Sequence, residues 1–433
     1  MNKKVELLSP AGTLKNLRYA FAYGADAVYA GQPRYSLRVR NNDFDFENLK
    51  TGISEAHALG KKIYIVANIQ PHNAKIKTFI EDLRPVVALK PDALIMSDPG
   101  MIMMVRESFP EVNIHLSVQA NAVNWATVKF YQNLGLTRVI LSRELSLEEI
   151  SEIRQHCPDI ELEVFVHGAL CMAYSGRCLL SGYINKRDSN QGTCTNACRW
   201  LYHMKPAAED DSGNLVIKQE NGLSAIISED THPDVYMGTY EDQHGTYIFN
   251  SKDLRAVNLV EKLIDIGVDS LKIEGRTKSF YYVSRTTQIY RQAIDDALAG
   301  KPYNPQLAVE LESLANRGYT EGFLVRHPHG DYQNYEQGNS SSEQSKFVGE
   351  IKGMKNGMVE VAVKNHFETG YKLLIMTPKK NITFVLNEMF DKHGEPLNVA
   401  LGDGHTVYFR LPEDMDVSYG IVLHQFTGDQ KYN

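Results

Sequence analysis

Long apolar runs are missing from this chain. No window of about 18 apolar residues marks a membrane span, and the two lysines of "MNKKVELLSP" are followed by no apolar stretch of signal-peptide length. The expectation is a cytoplasmic protein with no membrane partner. A positive surplus is missing too. Lys and Arg number 46 against 53 Asp and Glu, a net charge of -7, which argues against a generally basic nucleic-acid coat but leaves room for a local basic patch. There is no HExxH helix, no GxSxG elbow and no GxGxxG loop after the first apolar run, so nothing points to a conventional protease or a dinucleotide fold. Cysteine is scarce, five in 433 residues, yet four of the five fall between Cys171 and Cys198. In a reducing cytosol such clustering indicates metal ligation or redox chemistry rather than disulfides.

What is present is a repeated pattern. Short runs rich in Val, Ile and Leu begin near Val5, Asp26, Lys62, Asp92, Ile114, Arg138, Glu161 and Asp269, with amphipathic stretches such as "TLKNLRYAFAYG" and "SLEEISEIRQH" between them. Each crossover has the length of a βαβ unit. Eight such units predict a (β/α)8 TIM-like barrel over residues 1–300, with an open doubly wound sheet as the alternative. The seventh unit is interrupted by a Cys-rich insertion at about 171–250, and its helix is expected to resume at "SKDLRAVNLVEKLIDIG" from Ser251. Residues 301–344 read as a helical extension and polar linker. Runs such as "MVEVAVKN" and "YKLLIMTP", separated by turn residues, predict a small all-β, barrel-like domain over 345–433.

Polar residues collect where the predicted strands end: Ser9, Tyr29, Asn68, Asp98, Gln119, Asn121, Arg143, Glu144, His167, Lys272, Glu274 and Arg276. In a barrel these ends form one face, the face that carries the active site. Ser9 and Asp98 precede proline and are expected in turns.

The clustered thiols are Cys171, Cys178, Cys194 and Cys198, spaced C-x6-C-x15-C-x3-C. Structural zinc favours two short knuckles, and only the last pair here is short. An iron–sulfur cubane tolerates irregular spacing if four thiolates converge. Isolated core cysteines are the plainer alternative, and that is the expected role of Cys157. The insertion also carries Arg177, Lys186, Arg187 and Arg199, and "PRYSLRVRNN" adds Arg34, Arg38 and Arg40. Both stretches suit an anion such as RNA phosphate, and both also suit a solvated loop. His167, four residues before Cys171, raises a Cys/His nucleophile pair, but a cluster-bound cysteine cannot serve in one.

"ELLSPAG", "GADAVYAG", "VHGALCMAYSGRCLLSGY", "NQGTCTNACRW" and "SLKIEGRTKS" together resemble the collagenase-like peptidase family, from Val5 to about Phe426. The cysteine segment is the specific part of the match. The resemblance implies hydroxylation of RNA bases, here 5-hydroxyuridine at the tRNA wobble position, rather than proteolysis. It implies a [4Fe–4S] cluster on Cys171, Cys178, Cys194 and Cys198, and prephenate as co-substrate. A peptidase, a hydroxylase of ribosomal RNA or of a quinone precursor, and a tRNA-binding factor without turnover are the competing functions.

Residue roles follow from chemistry. A dicarboxylate calls for a fixed guanidinium, from Arg143, Arg276 or Arg177. Tyr29 or Tyr174 suits stacking on an extruded base, and Gln119 or Asn68 suits reading its edge. His167 and Glu274 are the candidates for moving a proton. For each tyrosine, ordinary packing competes, and for His167 and Glu274, a structural hydrogen bond.

Overall fold

The computed structural model describes residues 4–37, 43–170, 173–175, 177–178, 252–325 and 345–426, with the backbone of short strands between 207 and 247. Strands β1 (Glu6–Ala11), β2 (Ala27–Gly31), β3 (Lys62–Ala67), β4 (Ala93–Met96), β5 (Ile114–Leu116), β6 (Arg138–Ile140) and β7 (Glu161–Ala169) pair in sequence order. Strand β8 (Ser270–Ile273) pairs in parallel with both β7 and β1 and closes the barrel. The eight predicted strands are therefore the eight observed, and the open-sheet alternative falls because β1 and β7 share a neighbour.

Local chemistry starts the helices. Thr13, Asp45, Asp98, Asn124 and Ser279 accept backbone N–H groups at the starts of α1 (Leu14–Ala22), α2 (Phe46–Ala58), α4 (Pro99–Ser108), α5 (Trp125–Asn133) and α8 (Phe280–Leu298). Helix α3 (Asn73–Ala88) lies between α2 and α4. Ser146 and Glu149 form a capping box on α6 (Leu147–His156). Asp98 is thus a cap, as its place before proline suggests. Ser9 instead lies within β1, buried, with its hydroxyl 2.6 Å from Thr287 Oγ1 of α8, because the strand runs on through Pro10. Cys157 is buried at the end of α6, its thiol directed at Trp125 O, as a core residue.

The return from the insertion differs from expectation. Asp253–Arg255 is not helical but forms a strand antiparallel to the end of β7, and α7 begins only at Val260 (Val260–Ile266). β7 is nine residues long and outruns the other barrel strands, so its free edge takes a partner. The insertion, polar in sequence, carries antiparallel pairs such as Ile226–Glu229 with His232–Gly238.

The C-terminal domain is an antiparallel sheet built from β9 (Ser345–Lys355), β10 (Met358–Val363), β11 (Lys372–Met376), β12 (Asn381–Val385), β13 (Thr406–Phe409) and β14 (Ile421–Gln425). It encloses its own apolar core, including Val348, Val361, Ile375, Phe409 and Val422. Leu374, Met376, Ile421 and Leu423 pack instead into the barrel's core. Lys15 of α1 pairs with Glu350 at 2.6 Å, and Tyr23 donates to the carbonyls of Met376 and Tyr419. The domain is therefore docked on the outer wall formed by α1 and α8. No described helix is long and apolar enough to cross a membrane.

The candidate active site at the barrel mouth

The inside of the barrel is unusually ionic. Arg138, 2% exposed, bonds Glu6 at 2.6 Å and Glu163 at 2.9 Å, while Lys272 bonds the other oxygen of Glu163 at 2.7 Å. Tyr64 and Ser270 also donate to Glu6. Burial works against the charge of Glu6, but the adjoining Arg138 outweighs it and holds the carboxyl below its usual range. For Lys272 burial prevails over the attraction of Glu163 and lowers the ammonium below its ordinary value.

One layer nearer the mouth are two rings. Lys272 Nζ is 4.3 Å from the centroid of Tyr29 and 5.4 Å from that of Phe165. The same rings carry the mouth arginines: Arg143 Cζ is 4.0 Å from Phe165 and Arg276 Cζ is 5.9 Å from Tyr29. Arg143 Nη1 is 3.0 Å from Glu274 Oε2 and donates to Ala169 O at 2.7 Å. Arg276 donates to Leu37 O. Arg143 Nε is buried without a hydrogen-bond partner. Backbone shape supports the arrangement. Gly168 has φ +114°, and a Cβ there would lie 2.8 Å from Glu274 Cβ, so only glycine lets β7 approach Glu274 this closely.

The structure thus gathers Arg143, Glu274, Arg276 and Tyr29; the His167 carbonyl accepts the Glu274 N–H at 2.9 Å, but its ring packs elsewhere. The β7–β8 ladder slips by one residue beside Val166, so that Ile273 rather than Lys272 is level with His167. His167 packs among the rings of Tyr282, Tyr290 and Tyr319, at 5.5–5.8 Å, on the helix side of the wall. Burial, with Arg255 and Lys278 nearby, lowers its pKa to about 3, so it is neutral.

The other predicted residues sort by how their polar atoms are used. Tyr29 is buried, burial raises its phenol above the ordinary range, and its hydroxyl donates to Ile273 O at 2.9 Å. It belongs to the wall. Asn68 accepts from Leu37 N and donates to Ser117 Oγ, so both ends of its amide tie loops together. Gln119 is half-buried in a short 3-10 turn after β5. Tyr174 is 52% exposed, and Arg177 is exposed beside it, its backbone N–H bonded to Tyr174 O. Asn121 donates to Ser175 O at 3.0 Å and so ties this start of the cysteine segment to the mouth. Lys272 is one of the strand-end polar residues that the sequence points to, whereas Phe165 and Glu163 lie within β7 and are not among them. Alternation along β7 and β8 is the signal that would have put Glu163, Phe165 and Lys272 on one inner face.

Of the four clustered thiols, Cys178 is described and half-buried, three residues from the Ser175 tether. Cys171, Cys194 and Cys198 lie outside the described residues. Among the described residues no group of three or more His, Cys, Asp or Glu side chains is disposed to hold a metal. Four thiols in one segment are a donor set of the kind that an iron–sulfur cluster takes, and the Asn121–Ser175 bond ties the start of that segment to the mouth.

Residues 12–334 match the peptidase family U32 profile and residues 343–423 that of the peptidase family U32 C-terminal domain. The chain is 64% identical over 447 residues to the tRNA hydroxylation protein P of Escherichia coli (strain K12), covering 99% of each chain. It is 62% identical to the protein of the same name from Haemophilus influenzae, covering 99% and 98%. To the 23S rRNA 5-hydroxycytidine C2501 synthase of Escherichia coli it is 31% identical, covering 90% of this chain and 55% of that one.

Proposed function

This chain belongs to peptidase family U32, the resemblance its motifs carry, and from that membership and the chemistry of the barrel mouth we propose that it is a tRNA-modifying hydroxylase. The observation that carries this is the 64% identity, over 99% of each chain, to a tRNA hydroxylation protein. The finer reading is that it forms 5-hydroxyuridine at the wobble position in the cytoplasm, using a [4Fe–4S] cluster and prephenate. Ribosomal RNA is the weaker alternative, since the relative named for it shares 31% identity rather than 64%.

Cys171, Cys178, Cys194 and Cys198 would hold the cluster, which supplies electron-transfer or Lewis-acid chemistry when bound. The chain's own residues do the rest. Arg143 and Arg276, each within cation–π reach of a ring, are suited to hold the carboxylates of prephenate, because a guanidinium matches a carboxylate with two parallel bonds. Glu274 keeps Arg143 oriented and is the carboxylate placed to move a proton at the mouth. Tyr174 offers an exposed ring for the base, and the exposed Arg177 beside it a charge for phosphate. A wobble uridine already lies in a single-stranded loop, so extruding it costs little. His167, neutral and walled in by tyrosines, supports β7 rather than transferring protons.

The test is nucleoside mass spectrometry of tRNA from cells lacking this gene, complemented with the wild type or with Cys194→Ala. Loss of 5-hydroxyuridine and its derivatives, restored by the wild type alone, is the expected result. Unchanged levels in the deletion strain, with no parallel pathway, would remove the tRNA assignment.

A further inference from the structure

Lys272 is an odd residue to find inside a β/α barrel, where branched apolar side chains ordinarily fill the layers. It is 3% exposed, and its one hydrogen-bonded partner among the described residues is Glu163, itself fully buried. Burying such a pair costs more desolvation than hydrophobic side chains of similar volume would, so stability alone does not explain it. Its surroundings do. The ammonium contacts the rings of Tyr29 and Phe165, and each ring carries one mouth arginine, Arg276 on Tyr29 and Arg143 on Phe165. Tyr29 is pinned at its far end by the bond to Ile273 O, and Glu163 is pinned from the other side by Arg138. Three cations are therefore organised by two rings, and the innermost is the only one anchored in the barrel interior.

We propose that Lys272 is a positioning residue: anchored by Glu163, it fixes the rings of Tyr29 and Phe165 and through them the guanidiniums of Arg276 and Arg143. It touches no substrate. A cation held to a ring face restrains the tilt of that ring, and a ring that cannot tilt holds the guanidinium stacked on it. The consequence for function rests on the hydroxylase reading; the positioning itself does not.

The decisive variant is the double substitution Lys272→Met with Glu163→Gln, which removes the pair without stranding a buried charge, compared with Lys272→Met alone. The function-independent readout is hydrogen exchange of the Arg143 Nε–H, assigned by its loss in Arg143→Lys. Exchange at least tenfold faster in the folded double variant is expected, with thermal stability near wild type. Exchange unchanged in a folded double variant overturns the proposal, as does faster exchange that merely tracks a fall in stability. With prephenate as the probe, the apparent KM should rise about tenfold while kcat changes less. If the wild type neither uses prephenate nor modifies tRNA, the hydroxylase reading fails, and the exchange experiment still decides the role of Lys272.

Discussion

Arg143 Nη1 stands 3.0 Å from Glu274 Oε2, joining the loop after β6 to the loop after β8 across the end of β7. The contact brings a guanidinium and a carboxylate together at the face where a barrel does its chemistry. Arg143 is also fixed by Phe165 and by Ala169 O, so the pair is preorganised.

Replacing Glu274 with Gln should preserve the fold and much of the contact while removing the charge. Hydroxylation should fall by at least tenfold, and Arg143→Met should fall as far. Both side chains are largely screened from water, at 10% and 22% exposure, so a stability loss of about 1–3 kcal/mol is also expected from the broken pair. Urea unfolding alongside the activity assay separates the two effects.

Gly168→Ala tests the same site through the backbone. A Cβ at this position, with φ +114°, meets the Cβ and the carbonyl oxygen of Glu274 at 2.8 and 2.9 Å. Glu274 must move, and the alanine must adopt an unfavourable conformation at about 1–3 kcal/mol. Activity should drop further than the melting temperature implies, since the displaced residue is the one that orients Arg143.

His167 carries a pH prediction. Its native pKa of about 3 lies below the ordinary value of 6.5, so the unfolded chain binds a proton that the native state refuses. The stability this group contributes is fully present above pH 6.5 and is lost as pH falls toward 3, at about 1.4 kcal/mol per pH unit. His115, lowered by burial beside Arg138, adds in the same direction. Unfolding free energies measured from pH 7 to 4.5 should fall at least this steeply, and His167→Gln should reduce the slope by about 1.4 kcal/mol per pH unit while leaving the pH profile of hydroxylation between 6 and 9 unchanged.

Arg138→Met should be the most damaging of these changes to stability. It leaves Glu6 and Glu163 buried without their shared cation, a loss of about 3–5 kcal/mol. Equilibrium denaturation checks it, and additional Glu6→Gln should recover part of the loss.

The barrel was legible because buried parallel strands are nearly continuous apolar runs, and eight of them recur at βαβ spacing. The mouth was legible in part: Arg143, Glu274 and Arg276 sit at strand ends, and strand ends become one face. The same rule points the His167 ring at the mouth, whereas a one-residue slip beside Val166 turns it toward α8, and no local pattern in "VFVHGALC" announces a bulge. The ionic interior was hidden for a different reason. Glu6, Arg138 and Glu163 lie at the opposite ends of their strands or deep within them, where a charge read alone looks like a solvated residue. Only closure of the barrel brings them together. The helical spacing of "DLRAVNLVEKL" predicts helix across Asp253–Arg255, and the free edge of β7 overrides it.

The mouth holding Arg143 and Glu274 is the proposed place where a tRNA base is hydroxylated. The most direct measurement is 5-hydroxyuridine in tRNA from deletion cells expressing the wild type, Arg143→Met or Glu274→Gln at matched protein levels, read by nucleoside mass spectrometry. Restoration by the wild type and at least a tenfold shortfall with either variant are expected. Wild-type levels of the modified nucleoside with both variants would contradict that placement and move the chemistry away from this face of the barrel.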